Sequence, residues 1–245
     1  MNKSILIAAL LISLASSAVA QTYSVEIESG WLWVGRADVL IPGDEGTRFS
    51  FKNDLDADST AYMRGRFEWR PVPRHGIIVT LAPLEATASG TLAEETRFAD
   101  TTFPAASTVD ATYRFNNYRL TYRYRLYDAE CLTVDLGGTL FVRDAKITLD
   151  SGELRDSDDD LGVVPLVSFG ATWRPLARWA FVADGDALAA PQGRALDARV
   201  SAEYAWSDQW RTGLGYRILE GGADNDDVYT FALFHHAAVY VRAAW

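Results

Sequence analysis

Tyr229-Thr230-Phe231-Ala232-Leu233-Phe234-His235-His236-Ala237-Ala238-Val239-Tyr240-Val241-Arg242-Ala243-Ala244-Trp245 closes the chain, and its side chains alternate with a period of two. Successive residues of a β-strand point to opposite faces. Trp245 therefore lies on one face, while Arg242 and His236 lie on the other. Working backwards, glycine, proline and acidic clusters cut the chain into ten segments with the same alternation: 23–36, 58–70, 76–87, 107–127, 131–148, 161–174, 178–189, 195–206, 209–220 and 228–245. An even count places both ends of the sheet on the same side. The connections 37–57, 88–106, 149–160 and 221–227 are long or acidic, whereas Pro71–Gly76, Tyr127–Glu130, Pro175–Ala177 and Ser207–Asp208 are tight. The short Pro191-Gln192-Gly193 is the exception on the long side.

Which solvent each face meets follows from the charges. On the second segment Ala61, Met63, Phe67 and Trp69 share one face, and Tyr62, Arg64, Arg66, Glu68 and Arg70 share the other. If the first face meets lipid, the second must point inward, because an arginine facing lipid at the bilayer midplane costs about 2–4 kcal/mol. The split recurs. Tyr118, Leu120, Tyr122, Tyr124 and Leu126 face out against Arg119, Thr121, Arg123 and Arg125; Leu132, Val134, Leu136, Leu140 and Val142 face out against Thr133, Asp135, Thr139 and Arg143. Asp184, Asp186, Asp197, Arg199, Glu203, Arg211 and Arg217 fall inward on later segments, as do Glu26 and Glu28 across the closing seam. Two places resist the scheme. Tyr113 and Phe115 are out of phase with Tyr118, which predicts a β-bulge at Asn116-Asn117, and His235 falls on the lipid face.

Residues 1–20 have a basic start at Lys3, an apolar stretch from Ile5 to Leu14 and the small-residue exit Ala18-Val19-Ala20. That is the layout of a cleaved secretory signal. Residues 21–245 then form a single domain. Nothing else approaches the ~20 apolar residues a membrane helix needs, so any crossing is made by strands. A net charge of -10 argues against a nucleic-acid partner. Cys131 is the only cysteine and makes no internal disulfide. Six of the eight tryptophans, Trp69, Trp173, Trp179, Trp206, Trp210 and Trp245, fall beside the tight turns or at the chain end. An aromatic girdle at one membrane–water interface accounts for that, since indole keeps its body in lipid and its N–H among headgroups. Trp31 and Trp33 fall near the opposite end.

The export signal, the alternating strands, the girdle and the terminal Trp245 together resemble the small outer-membrane β-barrel proteins of Gram-negative bacteria over the whole mature chain. The resemblance implies an all-β, antiparallel, up-and-down transmembrane barrel with both termini in the periplasm. The turns give ten strands, with eight or twelve if a weak segment, above all 76–87, is read differently. It further implies outer-membrane lipid and lipopolysaccharide as surroundings, and recognition of the C-terminal strand by the assembly machinery. Ten strands and an acidic rim are similar to the omptin proteases, but their Asp-Asp and Asp-His pairs have no counterpart here. The Ser and His of the lipid A deacylases likewise have no matching local motif.

Three sets of residues could carry function. The first is the lumen network of Arg64, Arg66, Arg119, Arg123, Arg199 and Arg217 against Glu26, Glu28, Glu68, Asp135, Asp184, Asp186, Asp197 and Glu203. In a barrel only slightly wider than eight strands, such side chains fill the interior; the functional alternative is a selective path lined by charged rings. The second set is acidic: Asp156, Asp158, Asp159 and Asp160; Asp224, Asp226 and Asp227; Asp54, Asp56 and Asp58. Hard divalent cations take such carboxylates, with Asp158, Asp160, Asp224 and Asp226 as weak candidate ligands and no spacing that matches an EF-hand. The third is His236 with Asp184, Asp186 and Ser168, which would need three strands to meet at one height to act as a Ser-His-Asp site. No cofactor motif is present. The leading expectation is a non-enzymatic barrel with a largely plugged, charge-lined lumen, serving envelope integrity, surface interaction or limited small-solute passage. An outer-membrane hydrolase or lipid-modifying enzyme using His236, and a narrow selective porin, are the alternatives.

Overall fold

The computed structural model describes residues 23–191, 193–225 and 228–245. The expected signal segment, Gln192, Asp226 and Asp227 lie outside the described residues. Ten long strands form the wall: β1 (Tyr23–Leu40), β2 (Thr60–Val72), β3 (His75–Ala82, continued as Glu85–Thr91), β4 (Thr108–Asp128), β5 (Leu132–Asp150), β6 (Arg155–Leu176), β7 (Trp179–Ala190), β8 (Gly193–Ala205), β9 (Trp210–Asp224) and β10 (Tyr229–Ala244). Each pairs antiparallel with the next, and β10 returns to β1 in a register running from Ser24↔Ala244 to Leu40↔Tyr229. Tyr23 and Trp245 exchange two backbone hydrogen bonds of 3.0 Å at the seam. Closure leaves no unpaired edge over the heights where all ten strands pair, the condition under which a sheet survives in lipid; above that, residues 155–166 of β6 pair with β5 alone.

Outward side chains make an apolar belt. Ile27, Trp31, Met63, Phe67, Leu81, Leu120, Leu140, Val163, Val167, Phe181, Val200, Leu214 and Val241 are all exposed, Leu214 at 69%. A belt of that extent on a water-soluble protein would drive association. The six tryptophans beside the short turns stand exposed on the same outer surface, with Trp173 packed on Phe181 at 5.6 Å and Trp179 on Tyr204 at 5.1 Å. His235 also points outward, stacked on the Trp33 ring at 5.5 Å. A register shift at Val34/Arg36 in β1 faces it, and Gly35 leaves room: a Cβ there would stand 2.3 Å from the imidazole.

Three expectations need correction. No bulge interrupts Asn116-Asn117: the β4–β5 register runs on through Asn116↔Asp144 and Asn117↔Arg143, and the irregularity lies at Val134/Asp135. Tyr113 and Phe115 keep the parity of Arg119 and Arg123 because their end of the interior is apolar, so an inward aromatic there needs no change of phase. The acidic run 156–160 is not in a loop. It sits on β6, which pairs with β5 as far as Asp150↔Arg155 and leaves only residues 151–154 as the turn. The segment 76–87 is broken at 83–84 into the two pieces of β3, both of which pair with β4.

Loops fold over part of the apolar end from above, beside the mouth of the interior. Between β1 and β2, Phe49–Ser50 pairs back onto β1 and Asp56–Ala57 pairs onto the upper piece of β3. Between β3 and β4, Thr96–Phe98 and Thr101–Phe103 form a small hairpin. The two loops are tied by Thr47 N–H to Arg97 O at 2.9 Å and Ala99 N–H to Ile41 O at 3.0 Å. Phe49, Phe51, Leu55, Leu92, Phe98 and Phe103 descend onto Leu32, Val34, Val109, Tyr113, Ile147, Leu149 and Phe234 from the strands. Phe51 meets Tyr113 edge-on at 6.0 Å, and Tyr113 meets Phe234 at 5.7 Å. Each fully buried phenylalanine contributes about 1.5–3 kcal/mol.

Candidate functional site: the charged interior and its cavities

Alternation brings the lumen residues to successive heights. Register sets Glu26 beside Arg242 and Arg66, Glu28 beside Arg64, Asp184 beside Arg199, and Arg199 beside Arg217. Arg199 is the hub, with 1% of its surface exposed. Its Nη1 donates to Glu26 Oε1 at 2.7 Å and Glu28 Oε2 at 2.6 Å, its Nη2 to Asp184 Oδ2 at 2.9 Å, and its guanidinium lies 4.3 Å from the centre of the Tyr240 ring. Arg217 grips Glu28 with two hydrogen bonds of 2.9 Å and also bonds Asp197. Asp197 takes Arg64 at 2.7 Å and Arg119 at 2.8 Å. Arg119 also reaches Asp186, whose other oxygen accepts from Thr139 at 2.7 Å. Isolated charges at this depth cost several kcal/mol each; here every carboxylate is bound by more than one donor, which is what makes the layer tolerable. Arginine suits it because one planar fork serves several acceptors.

Below this layer, toward the short turns, Glu203 holds Arg211 and Arg242 at 3.2 Å each, and Glu68 and Asp135 are bridged by Arg70. A vestibule of about 530 Å³ opens there. Above the layer a second cavity of about 340 Å³ is floored by Arg119 and Asp197, walled by Phe115, Phe141, Leu166, Leu188, Leu219 and Phe234, and rimmed by Arg143, Asp158, Asp160, Arg194 and Glu220. Between them lies a void of about 20 Å³, room for roughly one water.

The catalytic candidates do not meet. Ser168 is fully buried and accepts from Arg123 Nε at 2.9 Å. Asp184 and Asp186 are taken by Arg199 and Arg119, and no hydrogen bond or ion pair joins either of them, or Ser168, to His236. His236 stacks edge-on against Tyr62 at 4.7 Å, and its Nδ1 is buried without a hydrogen-bond partner among the described residues. Of the weak metal candidates, Asp158 and Asp160 face the upper cavity, Asp160 paired with Arg143; Asp224 ends β9, and Asp226 is outside the described residues. Among the described residues, no group of three or more His, Cys, Asp or Glu is placed to hold a metal ion. Burial, with Asp159 and Asp156 nearby, raises the Asp158 carboxyl above its ordinary value.

No protein-family model matches the chain, and no curated protein does. Solved structures do. The outer membrane protease OmpT of Escherichia coli superposes with a TM-score of 0.58 at 9% identity, over 94% of this chain and 99% of that one. This chain has the fold of the bacterial outer-membrane β-barrels. An outer membrane channel from Pseudomonas putida F1 matches at TM-score 0.45 and 8% identity, covering 93% and 97%. The Ail attachment invasion locus protein of Yersinia pestis matches at 0.41 and 12%, covering 90% and 99%. At such identities the likeness speaks for the barrel and not for its chemistry.

Parity alone reached the charged layer but not the cap. Phe49, Phe51, Phe98 and Phe103 sit in loops that read as polar, and isolated aromatics in long connections were the one available signal. The upper cavity escapes sequence reading because its walls are inward apolar residues from six strands, and no periodicity says how far loops will fill the space above them.

Proposed function

We propose that this barrel does not conduct, and that it serves as a surface-binding protein of the bacterial outer membrane. The reading rests on one observation: the Arg199 layer separates the upper cavity from the vestibule, leaving a single-water void between them. With passage blocked, what remains open to the outside is the upper cavity, apolar in its walls and charged at its rim, a shape suited to a small amphipathic molecule. The enzymatic alternative depends on His236, which among the described residues has neither a carboxylate nor a hydroxyl hydrogen-bonded to it. Planar-bilayer recording of the refolded barrel tests the reading: a flat trace across the voltage range is expected, and discrete single-channel steps would overturn it in favour of a narrow porin.

A further inference from the structure

The vestibule holds more guanidinium than carboxylate. Asp135 is shared by Arg70 and Arg125, Glu68 by Arg66 and Arg70, Asp184 by Arg66 and Arg199, and Glu203 nearby by Arg211 and Arg242, while Asp128 at the rim pairs with Arg125, so the carboxylates here are already engaged. Two lining arginines have none. Arg123, 6% exposed, donates only to neutral acceptors, Ser168 Oγ at 2.9 Å and Gly185 O at 3.4 Å. Its remaining Nη1 faces Gly170, another wall residue of the vestibule, where a Cβ would stand 2.8 Å away; the missing side chain is what admits the guanidinium. Arg174 lines the same space, and no hydrogen bond or ion pair engages its side chain among the described residues. Arg70 Nη1 is also buried without a partner.

We propose that the vestibule is a phosphoryl-binding site, entered from the side of the short turns and built on Arg123 and Arg174 with Arg70 beside them. An unpaired guanidinium costs desolvation energy that an incoming oxyanion returns, and the planar fork of arginine matches two phosphate oxygens at once. Ser168 and Gly170 hold Arg123 in one orientation before any ligand arrives, which lowers the ordering cost of binding. The phosphoryl group can belong to a soluble solute or to a lipid headgroup curling over the rim.

The test uses the full barrel in dodecyl maltoside micelles, whose headgroups carry no phosphate, titrated with sodium tripolyphosphate against sodium chloride of equal ionic strength by calorimetry and thermal unfolding. Saturable binding is expected, weakened about tenfold or more by Arg174→Gln, the scale of one charge-assisted hydrogen bond. Arg174→Gln removes no ion pair and should fold normally; Arg123→Gln is the second variant. Arg74→Gln, at an exposed turn position outside the vestibule lining, should bind as wild type. A response that chloride reproduces, or that neither Arg174→Gln nor Arg123→Gln diminishes, overturns the proposal. Repeating the titration in phosphatidylglycerol nanodiscs assigns the source: loss of tripolyphosphate binding identifies the headgroup as occupant, and undiminished binding identifies a soluble anion.

Discussion

At the height of Arg199 the lumen is filled by side chains that the strands themselves carry, whereas around Phe51 it is filled by residues that loops bring in from outside the wall. The lower closure is ionic and belongs to the barrel: Arg199 alone ties β8 to β1 and β7. The upper closure is apolar and belongs to an inserted cap, whose aromatics touch the strands and whose backbone joins them at two two-residue pairings and at Phe51 N–H to Ala37 O and Asp58 N–H to Thr87 O, 2.9 Å each. Removing part of the first should therefore damage the whole wall, and removing part of the second should free the cap while the wall stands.

The largest effect is expected from Arg199→Ala. It leaves Glu26, Glu28 and Asp184 without their common partner, a loss of about 3–5 kcal/mol. Urea unfolding of the refolded barrel in lipid vesicles, followed by tryptophan fluorescence, reads it; a loss below about 1 kcal/mol would show that neighbouring arginines replace the hub.

Phe51→Ala should cost about 3 kcal/mol, felt locally as opening of the cap. Protease cutting within 92–107 should quicken and amide exchange there should rise, while the urea midpoint of the wall stays near wild type. If the midpoint falls as far as in Arg199→Ala, the division between wall and cap is wrong.

Acid should give the smallest effect, again confined to the cap. Asp38, above the lipid belt, accepts from Arg36 on β1 and from Arg48 in the first loop, at 2.7 Å each. Burial pushes the Asp38 carboxyl up, but those two hydrogen bonds outweigh it and hold the carboxyl below its ordinary value. The contribution is thus complete above the unfolded value of about 4 and fades as pH falls through the lower folded value. Protection factors at Arg48 to Ser50, corrected for the intrinsic pH dependence of exchange, should fall on acidification in wild type and be low at every pH in Asp38→Asn.

How much of this was legible beforehand follows the same line. The faces of β2, β5 and β8 could be read because an arginine in lipid is so costly that one misplaced parity would be intolerable. Tyr113 and Phe115 are not legible in this way, because aromatic side chains are at home both in lipid and in an apolar interior, so parity has no penalty to reveal. The acidic run 156–160 looked like a loop because strands that rise past the membrane meet water on both faces and lose the alternation that marks them. His236 read as a candidate because it points inward; its neighbours come from β2 and β9, and sequence does not give heights.

The sequence by itself determined the strands, their inward and outward faces and the sign of the charges within, because period two and the cost of charge in lipid are local rules. Only the tertiary structure decided that ten strands close on Trp245 and Tyr23, that Arg199 gathers three carboxylates, that two loops fold over part of the upper lumen and that Arg123 and Arg174 make no ion pair among the described residues. Those outcomes depend on stagger between strands far apart in the chain, and stagger is set by closure of the whole barrel.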